Sequence, residues 1–475
     1  MSDEKRLKHG LNGLKDSTDK KSATSVPSEK SVMQTKDGYK QTKLGLIPED
    51  WEVVHLEDIV DLRGRIGWKG LKTDDYIDEG PVLLGVKNIT RSQRLDLTDV
   101  THIPQEKYDE SPEIMVRNGY LLLAKTGATI GKSCVVEGIT EPTTVNAAVN
   151  VIECNGEVDN YFLNHFFATR GCQSQMWGAA SPGAQPNLFQ RDIKKLKIVL
   201  PPLPEQQKIA QILSTWDKAI TKTEELIKQK QKRKQGLMQQ LLTGKKRFNE
   251  FVKSDKMKET KLGWIPEDWE EVTFADIADK EVKWSITGGP FGSDLKSDDF
   301  TETGVRILQL QNLGDGRFID NYKIYTSEKK ADQLKACNIF PGELILSKMG
   351  DPVARACMIP NSEKRFLMAS DGIRLVPDNS LFDNHFVLEY INYSIFRRLA
   401  IRHSTGSTRQ RIGLSDLKKL PFVKPGLEEQ RRISNVLGRA DQEINKLQTQ
   451  LDQLKNQKNG LMQKLLTGEV RVKMD

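Results

Sequence analysis

Two long stretches of the chain repeat apolar residues at a coiled-coil period. In the later one, Ile433, Leu437, Ala440, Ile444, Leu447, Leu451, Leu454, Lys458, Leu461 and Leu465 follow alternating steps of four and three, and nine of these ten positions are apolar. The earlier one places Ile209, Leu213, Trp216, Ile220, Thr223, Ile227, Lys230, Lys234, Leu237 and Leu241 on the same grid, seven of ten apolar. A 3.5-residue seam kept for about five heptads predicts a long coiled-coil helix in each place. Both have start and stop signals. PPLPEQQKIAQIL and KPGLEEQRRISNVL put prolines in the linker and first turn, with Glu205 or Glu429 at the positive end of the helix. Gly244 and Gly468 follow the last apolar positions, as C-terminal glycines. Each helix should hold about 38 residues, hence roughly 57 Å at 1.5 Å per residue.

The same pairing extends to the whole chain. TKLGLIPEDWEVVHLEDI at 42–59 returns as TKLGWIPEDWEEVTFADI at 260–277, thirteen of 18 positions matching at an offset of 218. KQGLMQQLLTG at 234–244 returns as KNGLMQKLLTG at 458–468, nine of 11 matching at an offset of 224. The six-residue difference falls early, after about residues 60–64 of the first half. A period near 220 is too long for a solenoid and means two copies of a whole domain. The ends of each copy are nearly identical while the middle differs. Drift after duplication is one reading; a fixed scaffold carrying two recognition surfaces is the sharper one.

Between the repeated ends, YLLLAK (120–125), AAVNVIE (147–153), GVRILQL (304–310) and ELILSKM (343–349) read as strands. The stretches 161–171 and 385–400 read as helices. The expected fold is α/β (α+β), with two repeated recognition domains and two long helices forming an intramolecular antiparallel coiled coil about a pseudo-two-fold axis. The segments are a polar leader (1–41), domain 1 (42–200), spacer helix 1 (201–245), a linker (246–259), domain 2 (260–422), spacer helix 2 (423–468) and a C-terminal tail (469–475). The leader is expected to be disordered; a basic arm touching DNA is its other reading. In the antiparallel pairing the third seam position meets the eighth, so Lys458 faces Trp216 and Lys234 faces Ala440. A lysine can lay its stem on the indole, or escape beside the alanine, and keep its charge in water. A coiled coil between two chains remains open beside this pairing.

Composition narrows the classes. Apolar residues are 37% of 475, enough to bury real cores. No run of 18 apolar residues occurs and the N-terminus has no apolar signal core, so a cytoplasmic protein without a membrane span is expected. The five cysteines form no CxxC pair, and with six histidines they make no metal-site spacing, so no metal is expected. Net charge is +7 on 72 basic and 65 acidic residues, which permits nucleic-acid binding without demanding it. TGATIGKS (126–133) imitates a phosphate loop, but only three residues separate Gly127 from Gly131 where four are required. No other catalytic motif is found, and no catalytic residue is assigned.

What recurs is a set of polar, glycine-rich loops at equivalent places with different side chains. The candidate DNA contacts are Arg65, Lys69, Lys72, Lys87, Asn88, Lys125, Gln185 and Asn187 in the first half. In the second they are Lys296, Gln309, Gln311, Asn312, Lys348, Arg409 and Gln410. Lysine and arginine neutralise phosphates or read guanine, and amides match adenine edges.

With GLIPEDW/GWIPEDW opening each half, GWKGL, FGSDLK, LLLAKTGATIGK, GAQPNL, LPPLPEQ and GLMQQLLTG/GLMQKLLTG, the chain resembles the specificity subunit of type I restriction-modification enzymes over about residues 42–470. The resemblance implies a non-catalytic subunit whose two target recognition domains each read part of a split, asymmetric site in double-stranded DNA. It implies that the helices set the gap and dock two methyltransferase subunits, which use S-adenosylmethionine to methylate adenine. Restriction subunits, with ATP and Mg, would complete an endonuclease. The family pattern does not need the leader, and RQRIGL (409–414) replaces QPNL in the second half. The competing readings are an enzyme with a cryptic nuclease or methyltransferase site, and a coiled-coil adaptor that binds only protein.

Overall fold

The computed structural model describes residues 37–65, 71, 73–406 and 409–474. It divides into two compact units. One holds the chain up to Ala210 together with Gln463–Asp475, the other Gln211–Met462. The division cuts through both long helices instead of isolating them as the spacer segments 201–245 and 423–468.

In the first unit a hairpin, Tyr39–Thr42 with Gly45–Pro48, precedes everything else. This hairpin lies partly inside the segment read as a leader, of which residues 1–36 lie outside the described residues. Glu52–His55 pairs with Lys197–Leu200, so the start of the domain is stitched to its end. Between them lies a four-stranded antiparallel sheet in the order Val60–Arg63, Val149–Cys154, Leu121–Ala124, Ser133–Val135. A three-stranded sheet of Thr101–His102, Ile77–Leu84 and Thr143–Val145 adjoins it, with 82–84 parallel to 143–145. Leu121, Leu122, Leu123 and Ala124 are all fully buried. Burial on both faces explains why this strand reads as an unbroken apolar run rather than an alternation.

The second unit repeats the plan. The hairpin is Met257–Thr260 with Gly263–Pro266, and Glu270–Thr273 pairs with Pro421–Lys424. These strands begin inside the expected linker (246–259) and end past the expected boundary at 422. The strands Ile286–Gly288, Gly372–Leu375, Leu344–Ser347 and Ala356–Met358 form the four-stranded sheet, and Val305–Leu308 runs parallel to Phe366–Met368. The extra residues of the second half fall between Ile277 and Ile286; in the first half Ile59 runs straight into its strand. Each stretch read as one helix splits in two: Asn160–Phe167 with Arg170–Ala179, and Asn384–Asn392 with Ser394–Arg402. The repeated Asp-Asn pairs start them. Asp159 and Asp383 accept the Phe162 and Phe386 amide hydrogens at 2.9 Å, as N-caps.

The long helices are Leu203–Leu241 and Leu427–Leu466. Within the second unit they run antiparallel, because Asp217, Glu224, Lys230 and Lys234 meet Lys458, Lys455, Glu443 and Asp441 in falling order. Ile220, Ile227 and Leu451 form a buried seam with Ile444, Leu447 and Leu454 against it. Ile209, Leu213, Leu241, Ile433, Leu437 and Leu465 are buried as expected. Trp216, Leu237 and Leu461 are half-buried. The lysines behave differently from the expectation. Lys458 Nζ donates to both carboxylate oxygens of Asp217, at 2.6 and 2.8 Å. Lys234 Nζ donates to Asp441 at 2.6 Å and to Glu389 at 2.9 Å. The ammonium groups go to carboxylates, on the residue beside Trp216 or Ala440, and not to water. An ammonium losing water in a seam needs a carboxylate to replace it.

Both units contain the same polar latch. In the second, Trp269 Nε1 donates to Glu429 at 3.0 Å, and Arg247 grips Glu429 through two donors at 2.8 Å and Asp268 at 2.7 and 3.0 Å. In the first, Trp51 Nε1 donates to Glu205 at 3.0 Å, while Arg471 grips Glu205 at 2.7 Å and Asp50 at 2.8 Å. Beside the latch, Gly244 has φ +68° and a Cβ there would lie 2.4 Å from Pro266 Cγ; Gly468 has φ +73° and meets Pro48 Cδ at the same distance. The IPEDW opening of one repeat thus closes on the Thr-Gly ending of the other. That is why these two segments are the ones that match between the halves.

Candidate nucleic-acid interface

In each unit the polar loops come together at one end of the sheets. Gly127 N donates to Pro186 O at 2.7 Å and Leu188 N to Lys125 O at 2.8 Å, joining the TGA loop to GAQPN. In the second unit Gly350 N donates to Gln410 O at 3.2 Å and Ile412 N to Lys348 O at 3.0 Å. Loops about 60 residues apart in sequence are thereby held edge to edge.

The result is a cleft in each unit. That of the first unit has a volume of about 520 Å³ and is lined by Tyr76, Lys87, Thr126, Gly127, Asn146 and Gln185, among others. That of the second has a volume of about 740 Å³, with Gln309, Gln311, Asp351, Ser370, Arg409 and Gln410 in its wall. Gln311 stands where the first half has Lys87 and Arg409 where it has Gln185, while Gly350 answers to Gly127 and Ala369 to Asn146 in the matching backbone bonds. The clefts are one architectural site with two chemistries. A lysine with two amides lines the first; amides, an arginine and a carboxylate line the second. Asp371, at the second cleft, also pairs with Arg411.

The candidate residues divide accordingly. Lys87 and Gln185 reach the first cleft; Gln309, Gln311, Arg409 and Gln410 reach the second. Lys87 is exposed and bonds Asp99 at 2.9 Å. Lys125 is half-buried, and desolvation pulls its ammonium below the usual lysine range. Lys348 is half-buried and Lys296 exposed. Arg65 is half-buried, and Asn187 is half-buried in a bridge to Thr126. Lys69 and Lys72 lie outside the described residues.

Asn88 and Asn312 need correction as outward-facing contacts. Asn88 is 2% exposed and Asn312 fully buried. Asn88 accepts from Gly85 N at 2.9 Å and donates to Asp96 O at 2.9 Å and Asp99 O at 3.0 Å. Asn312 accepts from Gln309 N at 3.0 Å and donates to Ile319 O and Tyr322 O at 3.0 and 2.9 Å. Each fixes the strand-to-loop corner that presents Lys87 or Gln311. Their amide groups are fully engaged with backbone, so nothing is left for a base. Asn146, Asp351 and Ser370 were missed, and the repeat does not pair them, because Asn146 answers to Ala369.

TGATIGKS is confirmed as a decoy by its setting. Gly127–Thr129 is a single 3-10 turn between two antiparallel strands, and a strand, not an α-helix, follows the GK pair. Burial pushes the thiols of Cys134, Cys154, Cys172 and Cys357 up to about 12 and that of Cys337 to about 11, unsuited to a nucleophilic thiolate. Among the described residues no group of His, Cys, Asp and Glu is arranged to hold a metal ion, and no helix is long and apolar enough to cross a membrane.

The model of the type I restriction modification DNA specificity domain matches residues 48–231 and again 266–456. The type I restriction enzyme MjaVIII specificity subunit of Methanocaldococcus jannaschii is 25% identical over 90% of this chain and 94% of its own length. The EcoBI specificity subunit of Escherichia coli is 23% identical over 70% of each chain. The crystal structure of a type I restriction-modification S subunit from M. genitalium covers 90% of this chain and 97% of its own, with a TM-score of 0.54 at 15% identity. A chain from a structural study of type I complex assembly and conformational transition gives a TM-score of 0.50 at 17% identity. Two matched domains, each holding one of the two clefts, place this chain in the type I restriction-modification DNA specificity family.

Proposed function

We propose that each cleft reads one half of a bipartite, asymmetric site in double-stranded DNA. The observation that carries this reading is the equivalence of the clefts: one scaffold, the same positions, different donors and acceptors. In the first, Lys87 offers donors to guanine or phosphate, and Asn146 and Gln185 suit an adenine edge. In the second, Arg409 suits guanine, Gln311 adenine, and Asp351 accepts from a cytosine amino group. The two half-sites should therefore differ in sequence.

The chain acts as the non-catalytic member of a cytoplasmic complex. The antiparallel helices hold the spacing between half-sites, and their outer faces dock two methyltransferase subunits. S-adenosylmethionine belongs to those subunits, and ATP and Mg to restriction subunits that join them. Inserting one heptad into both helices should alter the spacer recognised while leaving both half-sites unchanged.

The direct test maps methylated adenines in the host genome, then footprints the full chain with its methyltransferase subunits on that motif. Protection of two separated half-sites is expected. The salt slope should be about −0.9 log unit per neutralised phosphate. Protection of a single continuous site, or none, overturns the reading. So does methylation or cleavage by the purified chain alone.

A further inference from the structure

The loop GGPFGSDLK leaves the second recognition sheet with an aromatic side chain at its apex. Phe291 is 82% exposed, the most exposed of the large apolar residues described. The residues around it explain how a ring is kept in water. Gly289 N donates to Gly372 O at 2.8 Å. A Cβ on Gly289 would lie 1.9 Å from Ala369 O, so only glycine permits the loop to sit this close to the strand. Pro290 is buried and has a fixed φ. On the far side Leu295 packs against the core of Val305, Ile307 and Leu367. Asp294 N donates to Phe291 O at 2.9 Å and closes the turn. Both feet of the loop are thus pinned, and Phe291 is held out by construction.

Its position matters. Ala369 and Ser370, on which Gly289 rests, also line the second cleft with Gln309, Gln311 and Arg409. The ring is thus carried by a loop anchored on the wall of the site proposed to read DNA. Other exposed rings nearby are covered: Lys283 lies over Trp284 at 4.4 Å and Arg374 over Phe340 at 5.6 Å. Among the described residues no cation or ring covers Phe291. Its exposed chain neighbours Gly292, Ser293 and Asp294 are not apolar, so the loop itself offers no run of apolar surface to a protein partner.

Resting on the DNA-reading function, we propose that Phe291 is a stacking wedge that enters the duplex at the edge of the half-site read by the second cleft and unstacks one base step. Apolar wedges of this kind kink duplexes, and stacking tolerates any base because every base has a π-face. A step that unstacks easily would then be favoured beside the contacted bases, as specificity without a hydrogen bond.

The test uses the full chain and a duplex carrying the mapped motif, with 2-aminopurine placed in turn at positions of the second half-site other than the methylated adenine. Wild type should raise fluorescence several-fold at one step. Phe291→Ala should abolish that rise and weaken binding about tenfold to a hundredfold, with the footprint on the first half-site kept. Phe291→Trp should restore both. An alanine variant with wild-type affinity and fluorescence overturns the wedge while the DNA-reading function stands. So does a variant that binds DNA normally but loses the methyltransferase subunits, which would make Phe291 a protein contact. Failure of wild type to protect either half-site removes both proposals together.

Discussion

The two latches and the two clefts diverge in opposite ways. Trp51–Glu205–Arg471–Asp50 and Trp269–Glu429–Arg247–Asp268 repeat each other nearly atom for atom, with matching tryptophan–carboxylate distances of 3.0 Å. The clefts share the backbone bonds that join their loops and few of the lining side chains. Glu205 and Glu429 are 2% exposed and must satisfy an indole and a guanidinium at once, which few residue combinations can do. The cleft residues face solvent, so having Lys87 in one and Gln311 in the other, or Gln185 and Arg409, leaves the fold intact. The chain is constant where partners are buried and variable where they are open.

Breaking the latches should give the largest effects and should also separate them. The Arg247 side chain is 7% exposed and that of Arg471 is 40% exposed. Arg247→Ala leaves the Glu429 carboxylate buried without its cation and should cost about 3–5 kcal/mol in urea unfolding. Arg471→Ala, whose site admits water, should cost about 1–2 kcal/mol. Equal losses would show that the two latches are not distinguished by burial. Gly244→Ala and Gly468→Ala should each cost about 2 kcal/mol or more, because a left-handed φ and a clash with Pro266 or Pro48 combine; a thermal melt of either variant matching wild type would contradict this.

The clefts sharpen the same comparison without touching stability. Arg409→Ala should weaken binding by about 1–3 kcal/mol and relax the sequence requirement in one half-site only. Gln185→Ala should do the same for the other. Competition assays on duplexes altered in each half-site would read this out, and relaxation in both halves by either variant would count against separate readers.

The smallest effect concerns Glu389, which has no carboxylate counterpart: the equivalent position is His165. Burial pushes the Glu389 carboxyl up to about 7, the Asp441 charge adds to the push, and Lys234 opposes it. Its pKa is raised on folding, so its contribution to stability is complete below the unfolded value and is lost as pH rises through about 7. Stability should fall by about 1–2 kcal/mol between pH 6 and 8 from this site. Glu389→Gln should flatten that slope in melts across the range; an unchanged slope would place the titration elsewhere.

The sequence by itself determined the duplication, the α/β class, both long helices with their ends, and the seam positions. It did so because periodicity, caps and breakers act over a few residues and leave their marks in order along the chain. The antiparallel level of the lysines was legible too, but not their partners, since Asp217 and Asp441 sit one residue off the seam. Only the tertiary structure decided which polar loop residues face a cleft. Asn88 and Lys87 are neighbours in sequence, yet one is buried against backbone and the other is exposed. That choice depends on where strand ends meet after the sheets close. The latch likewise joins residues up to 421 positions apart. No local pattern encodes such a partner, because burial and charge pairing across the fold select it.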